Sequence, residues 1–267
     1  MVMSDVSQAT RNEPILERAI RILDCFDHRH PTLTVAQISE LSGIPRTTTY
    51  RIVNQLEELG LLLRDEHGEY LPGLRLWEIG NRGSCIKTVA QVAHLHMLHV
   101  HSIVRTGVHF SILEDNEMLV VEYVCEHEGA DCIGVHRGMR LPVHDTATGM
   151  ATLAYSSMSV VSEYMEEHGE AMTTAHPRLR HEVETIRSQG YARYPGFVHE
   201  NTEVLAVPVI GPHGHAIGAV AVILTDPAEE PASLIESLQK ASSSITQEML
   251  ERVGTFLPPK APKLPGR

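Results

Sequence analysis

Gly43-Ile44-Pro45-Arg46-Thr47-Thr48-Thr49-Tyr50-Arg51-Ile52-Val53-Asn54-Gln55-Leu56-Glu57-Glu58-Leu59-Gly60 reads as a tight turn followed by one helix. Gly43 supplies the turn. Pro45 suits the first helical position, where a missing N–H is no loss, and Gly60 suits the C-terminal cap. At about 100° per residue, Thr49, Ile52, Val53, Leu56 and Leu59 gather on one face. Arg46, Thr47, Tyr50, Arg51 and Asn54 gather on roughly the opposite one, and between Glu40 and Glu57 that face carries no acid. Two arginines, hydroxyls (Thr48 among them) and an amide at the front of a helix suit phosphates and base edges in a major groove.

The preceding residues favour that use over a merely solvated face. Thr34-Val35-Ala36-Gln37 has capping-box spacing, with Thr34 as the cap and Gln37 reaching back. Ile38 and Leu41 supply the buried stripe of a short helix ending at Ser42-Gly43. Two helices joined by a turn of about three residues make a helix-turn-helix, whose second helix reads DNA. After Gly60, Leu61 to Arg64 and Glu69 to Leu71 read as strands around Asp65-Glu66-His67-Gly68, a β-hairpin. The result is a winged helix. Its candidate DNA contacts are Thr34, Arg46, Thr47, Thr48, Tyr50, Arg51 and Asn54. Arg64 can meet a phosphate from the wing, whereas Asp65, Glu66 and Glu69 cannot.

Glu17 to Leu23, Leu33 to Ile38, Gly43 to Thr48 and Leu71 to Leu76 resemble the DNA-binding domain of the IclR family of bacterial transcriptional regulators. Farther on, Gly138-Met139-Arg140-Leu141-Pro142-Val143-His144-Asp145-Thr146-Ala147-Thr148-Gly149 resembles that family's effector-domain signature. Gln189-Gly190-Tyr191-Ala192 and Ala206-Val207-Pro208-Val209 are similar to two further landmarks. Order and spacing carry the resemblance, over about residues 13 to 253. It implies a GAF-like effector domain with a small-molecule cavity, and a linker helix that packs against its partner in a dimer or tetramer.

Composition narrows the classes. The 267 residues allow one large domain or two modest ones, and a hydrophobic content of 42% lets each bury a core. Lys plus Arg is 22 against 34 Asp plus Glu, a net charge of −12. Up to Gly83 there are 9 basic and 12 acidic residues; the rest has 13 and 22. The binding module is therefore near neutral, and its affinity must come from where Arg46 and Arg51 stand. The acidic remainder weakens non-specific attraction to phosphate, which excludes a coating protein and permits a site-specific one. The four cysteines are scattered without a C-x-x-C pair, and Met1 to Asn12 is short and polar. The chain is read as cytoplasmic with free thiols. No apolar run approaches the roughly eighteen residues of a membrane helix, so no membrane partner is expected.

Five segments follow: 1–12, disordered; 13–73, the winged helix; 74–84, a linker helix carrying the only tryptophan, Trp77; 85–253, the effector domain; and 254–267, a flexible tail with four prolines. Ile15 to about Asp27 reads as a helix with Leu16, Ala19, Ile20, Leu23 and Phe26 inward. In the second domain Ile86 to Val104 reads as a long helix. Val108 to Leu113 and Met118 to Val124 read as a hairpin around Glu114-Asp115-Asn116-Glu117. Cys132 to Val135 is a further strand. Ala147 to Ala154, Val160 to Glu167 and Pro177 to Gln189 read as helices, Val204 to Ile210 and Ala216 to Leu224 as strands, and Ser233 to Arg252 as a closing helix. Mixed strands and helices with hairpins define an α+β class.

Chemistry-bearing clusters are few. His94, His96, His99 and His101 fall within one helix on diverging faces, which does not suit a metal. His144-Asp145 has no Gly-x-Ser-x-Gly elbow to work with. Thr146-Ala147-Thr148-Gly149 looks like a loop entering a helix, whose backbone amides can cap or hold an anionic group. Several positions depart from the family's pattern. Met150 stands where a lysine is common, and Tyr194 where an acid often follows Gly-Tyr-Ala. Asn201-Thr202-Glu203-Val204 replaces Gly-x-x-Cys, and Ala221 and Ile223 replace two strand serines. With Phe197, these make an apolar or aromatic lining. A small polar keto acid needs several fixed donors, because burying it unpaired is costly. The lining suits an apolar or aromatic acid held by Thr146 and its neighbours, or a cavity filled by its own side chains.

The sequence therefore points to a ligand-modulated, DNA-binding transcriptional regulator, without cofactor, metal or catalytic residues, acting as an oligomer on an inverted repeat. Candidate effector contacts are Thr146, Ala147, Gly149, Met150, Tyr194, Phe197, Val204, Ala221 and Ile223. The alternative is an enzyme or metal-dependent catalyst in the second domain, with the winged helix as a protein-docking module.

Overall fold

A computed structural model of the chain describes residues 13–27, 29–82, 85–126, 134–199, 201–225 and 232–253. The expected disordered start and flexible tail lie outside them. The chain divides into two compact units between Ser84 and Cys85.

In the first unit α1 (Ile15–Leu23), α2 (Val35–Ser42) and α3 (Arg46–Glu58) are followed by the hairpin β1 (Leu62–Arg64) and β2 (Tyr70–Pro72), then α4 (Leu74–Asn81). The capping box forms: the Gln37 N–H donates to the Thr34 hydroxyl at 3.3 Å, and the Thr34 N–H donates to Gln37 Oε1 at 2.8 Å. Gly43, at φ 65°, takes the left-handed turn into α3. Gly60, at φ 71°, ends that helix. The Leu61 N–H then reaches the Leu56 carbonyl and the Gly60 N–H reaches that of Glu57, a Schellman closure. Pro45 stands just before α3 rather than at its first position. Ile22, Ile38, Ile44, Ile52, Val53, Leu56, Leu62 and Tyr70 form the core.

Four residues expected inward are exposed: Leu16, Ile20, Leu41 and Leu59. α1 stops at Leu23, and Ile22 takes the central buried position. An apolar stripe counted by angle is wider than the surface that three short helices can cover. On α4, Leu74, Trp77 and Ile79 are also exposed, Trp77 at 68%.

The second unit opens with α5 (Cys85–Val104). Then come β3 (Val108–Glu114), β4 (Glu117–Val124), β5 (Arg140–Pro142), α6 (Ala147–Ala154), α7 (Met158–Ala175), α8 (Leu179–Gln189), β6 (Ala192–Pro195), β7 (Glu203–Ile210), β8 (Ala216–Leu224) and α9 (Ala232–Val253). The strands form one antiparallel sheet in the order β5-β4-β3-β8-β7-β6. On β8, Val220, Val222 and Leu224 face α5 and α9, while Ala219, Ala221 and Ile223 face the side of α6, α7 and α8. Asp115 and Asn116 both take positive φ, the conformation a two-residue hairpin requires.

Several expectations change here. β5 and β6 are strands that the sequence pattern does not predict. Val135 lies outside any strand, and residues 132 and 133 are outside the described part. α7 is longer than the expected 160–167, running from Met158 to Ala175. Cys125 is disulfide-bonded rather than a free thiol, whereas Cys25 is free. The lack of a C-x-x-C pair does not forbid a bridge, because the fold, not spacing, brings two sulfurs into reach.

Candidate functional site

The first two turns of α3 present Arg46, Thr47, Tyr50 and Arg51 to solvent, Tyr50 at 56%. Among the described residues no hydrogen bond or ion pair engages either guanidinium. No acid shares that face, so the patch is cationic and unneutralised. Thr49 turns inward, its hydroxyl donating to the Ile44 carbonyl at 3.0 Å, and so holds the turn against the helix. Thr48 and Asn54 are half-buried. Asn54 Oδ1 accepts from the Tyr70 hydroxyl at 3.4 Å, which ties the reading helix to the wing. Arg64 lies over the Tyr70 ring at 5.5 Å and donates to the Gly68 carbonyl at 3.4 Å. Thr34 is occupied in its capping box.

In the second unit a cavity lies between the sheet and the start of α6. His109, Leu141, Pro195, Val204 and Ile223 line it from the strands; Thr146, Ala147 and Thr148 from the helix start; and Val135 with residues 196–199 and Thr202 from loops. The cavity proper is small, about 30 Å³, room for one or two waters. With its mouth the empty space comes to about 390 Å³. Thr146 caps α6: its hydroxyl accepts from the Gly149 N–H at 3.2 Å and donates to the Pro142 carbonyl at 2.7 Å. Among the described residues no backbone acceptor meets the N–H groups of Ala147 and Thr148, the first two of the helix. These are the donors a ligand anion can use.

Of the nine candidate effector contacts, Thr146, Ala147, Phe197, Val204 and Ile223 line this cavity. Gly149 sits behind it. A Cβ there would lie 2.1 Å from the Val143 carbonyl oxygen, so its bareness lets α6 sit on that backbone. Met150 and Ala221 are fully buried beneath the lining. Tyr194 turns to α8: its hydroxyl donates to Glu182 at 3.0 Å, and burial plus that carboxylate hold its pKa well above normal.

His144 is held by other groups. His176 Nε2 donates to its carbonyl at 2.5 Å while His176 Nδ1 meets Glu182 at 2.6 Å. The His144 ring shares a 2.6 Å hydrogen bond with the Tyr164 hydroxyl, which burial raises to about 12. Together these bonds fix the loop that leads into α6. The α5 histidines go to separate partners: His94 to Glu122, His96 to Glu248 and His101 to the Thr106 carbonyl.

Among the lining residues that sequence reasoning missed are His109, Leu141, Thr148, Val198, His199 and Thr202. His109 is 2% exposed, and its buried Nδ1 has no hydrogen-bond partner. An orphaned buried polar group costs about 1–3 kcal/mol. Burial pushes the ring's pKa down to about 4, so it is neutral at physiological pH. The available signal was His109 and Ser111 at alternate positions of an otherwise apolar run.

A winged helix-turn-helix with an unpaired cationic reading helix, together with an α/β unit built around a small cavity, defines a DNA-binding transcriptional regulator with a ligand-binding domain. The IclR helix-turn-helix domain is matched over residues 15–66 and the bacterial transcriptional regulator IclR C-terminal domain over residues 86–247. The chain belongs to the IclR family of bacterial transcriptional regulators. It is 28% identical to the HTH-type transcriptional regulator XynR of Escherichia coli, over 88% of this chain and 96% of that one. It is 27% identical to the p-hydroxybenzoate hydroxylase transcriptional activator of Acinetobacter baylyi, over 84% and 85%. Among solved structures, an IclR homolog from Microbacterium hydrocarbonoxydans complexed with 4-hydroxybenzoate superposes with a TM-score of 0.77 at 28% identity, covering 89% of this chain and all (100%) of that one. No described helix is long and apolar enough to cross a membrane.

Proposed function

We propose that the chain acts in the cytoplasm as a homo-oligomer on an inverted-repeat operator, and that its effector is an apolar or aromatic monoacid. The observation that carries the effector reading is the cavity itself. Val135, Leu141, Phe197, Val198, Val204 and Ile223 supply apolar walls, and the Ala147 and Thr148 amides supply donors for one carboxylate. The 4-hydroxybenzoate in the Microbacterium relative and the name of the Acinetobacter activator agree with an aromatic acid. An aromatic ring exceeds the enclosed space, so binding requires residues 196–199 to move outward; half-exposed Phe197 sits among them. Gly149, Met150, Tyr194 and Ala221 act behind the wall, holding α6 and β6 in place.

On DNA, Arg46, Thr47, Tyr50 and Arg51 read the groove, Arg64 meets a phosphate, Thr34 caps the helix before the turn, and Thr48 and Asn54 brace the reading helix. The exposed Leu74, Trp77 and Ile79 join one chain to another. Effector binding shifts the population of oligomers whose reading helices match the operator spacing.

Calorimetry with benzoate and with pyruvate tests the effector reading. Benzoate should bind and pyruvate should not, and Val204→Phe should abolish benzoate binding while leaving apo operator affinity intact. Tight pyruvate binding with none for benzoate overturns it.

A further inference from the structure

We propose that His109 forms a second polar subsite in the cavity, where its imidazole hydrogen-bonds a hydroxyl of the effector, so that the effector is a hydroxy-substituted monoacid. This rests on the reading of the cavity as an apolar-acid site.

Three orphaned polar atoms gather on one face of the sheet. His109 Nδ1, the Tyr123 hydroxyl and Ser111 Oγ are buried without hydrogen-bond partners. His109 and Tyr123 are register partners on β3 and β4, and Ser111 follows two residues along, so all three share the face toward α6. His109 itself lines the cavity. Of the other polar side chains there, His199 stands exposed at the mouth and the three threonines are engaged. The Thr146 hydroxyl holds Pro142 and Gly149, Thr202 donates to the His199 carbonyl at 2.8 Å, and Thr148 leans on Thr146 at 3.5 Å. His109 is therefore the wall's one side chain with a fully buried, unmet hydrogen-bonding atom among the described residues.

The ring's charge state selects the chemistry. Held neutral by burial, it offers one donor and one acceptor and forms no ion pair with a second carboxylate. A hydroxyl, which both gives and accepts, matches it. A dicarboxylic acid would bury its second charge unpaired. The α6 amides take the acid group, and His109 reads the substituent.

The test is calorimetry of the full chain with benzoate, the ortho-, meta- and para-hydroxybenzoates, and terephthalate. At least one hydroxy isomer should bind the wild type on the order of tenfold more tightly than benzoate. Terephthalate should bind more weakly than benzoate. In His109→Leu the ratio of hydroxybenzoate to benzoate affinity should fall to about one, and His109→Gln should restore part of the increment. An increment unchanged in His109→Leu, or absent from the wild type, overturns the subsite and leaves the apolar-acid reading standing. So does loss of benzoate by both variants, since His109 would then only support the wall. A wild type that binds none of these acids overturns both readings.

Discussion

Acid should destabilise the second unit through His109, by an amount the structure sets. Burial moves the ring's pKa from 6.5 to about 4. As pH falls through about 6.5 the unfolded chain takes up this proton, while the folded chain does not until about pH 4. Between those values the unfolded state binds more protons. Stability is therefore full above pH 6.5, declines with acid, and levels off below about 4. That shift comes to roughly 3 kcal/mol, most of which is lost by pH 4.5. In a domain of this size that corresponds to about 5–10 °C in Tm. Scanning calorimetry of the full chain between pH 7.5 and 4.5 would read it, with hydrogen exchange at β3 assigning the transition. The fluorescence of Trp77 would follow the first unit instead, since that unit holds the only tryptophan. His109→Leu should remove this part of the pH slope while leaving that of the surface carboxylates. Equal slopes in wild type and variant would refute the argument.

Three further outcomes are expected. Arg46→Ala and Arg51→Ala should each weaken operator binding by about 1–3 kcal/mol and relax preference at one position if the side chain reads a base, or lower the salt slope by about one if it meets phosphate; unchanged affinity in both would remove α3 from the interface. Gly149→Ala puts a methyl 2.1 Å from the Val143 carbonyl oxygen. It should destabilise the second unit by roughly 1–3 kcal/mol and displace the α6 amides, abolishing effector binding but not apo operator binding; wild-type urea stability would contradict this. Trp77→Glu should shift the chain toward smaller species in sedimentation and weaken operator binding; an unaltered oligomer with unaltered affinity would show that α4 is not a contact between chains.

Local chemistry settled the first unit. Its capping box, the glycine turns, the Thr49 face and the hairpin follow from residues within about twenty positions of each other, so propensity and periodicity suffice. The long central strands and helices of the second unit were legible for the same reason. Its edge strands were not: β5 and β6 are three and four residues long and each ends in proline, so they exist only because β4 and β7 offer them a ladder. The site divides the same way. Thr146 announced a cap, and Val204 and Ile223 announced an apolar wall, from sequence alone. Tyr194 and Ala221 read as wall positions too, but β6 aims the tyrosine at Glu182, and β8 lays the alanine beneath the lining. His109 shows the limit most clearly. Alternation in Val108-His109-Phe110-Ser111-Ile112 says that one side of the strand is polar, which ordinarily means water. Only the sheet order, which sets β3 between β4 and β8 with helices over both faces, buries that side and leaves an imidazole facing a cavity. Periodicity reports which side of an element is apolar; what comes to cover the other side is decided by chain segments far away in sequence.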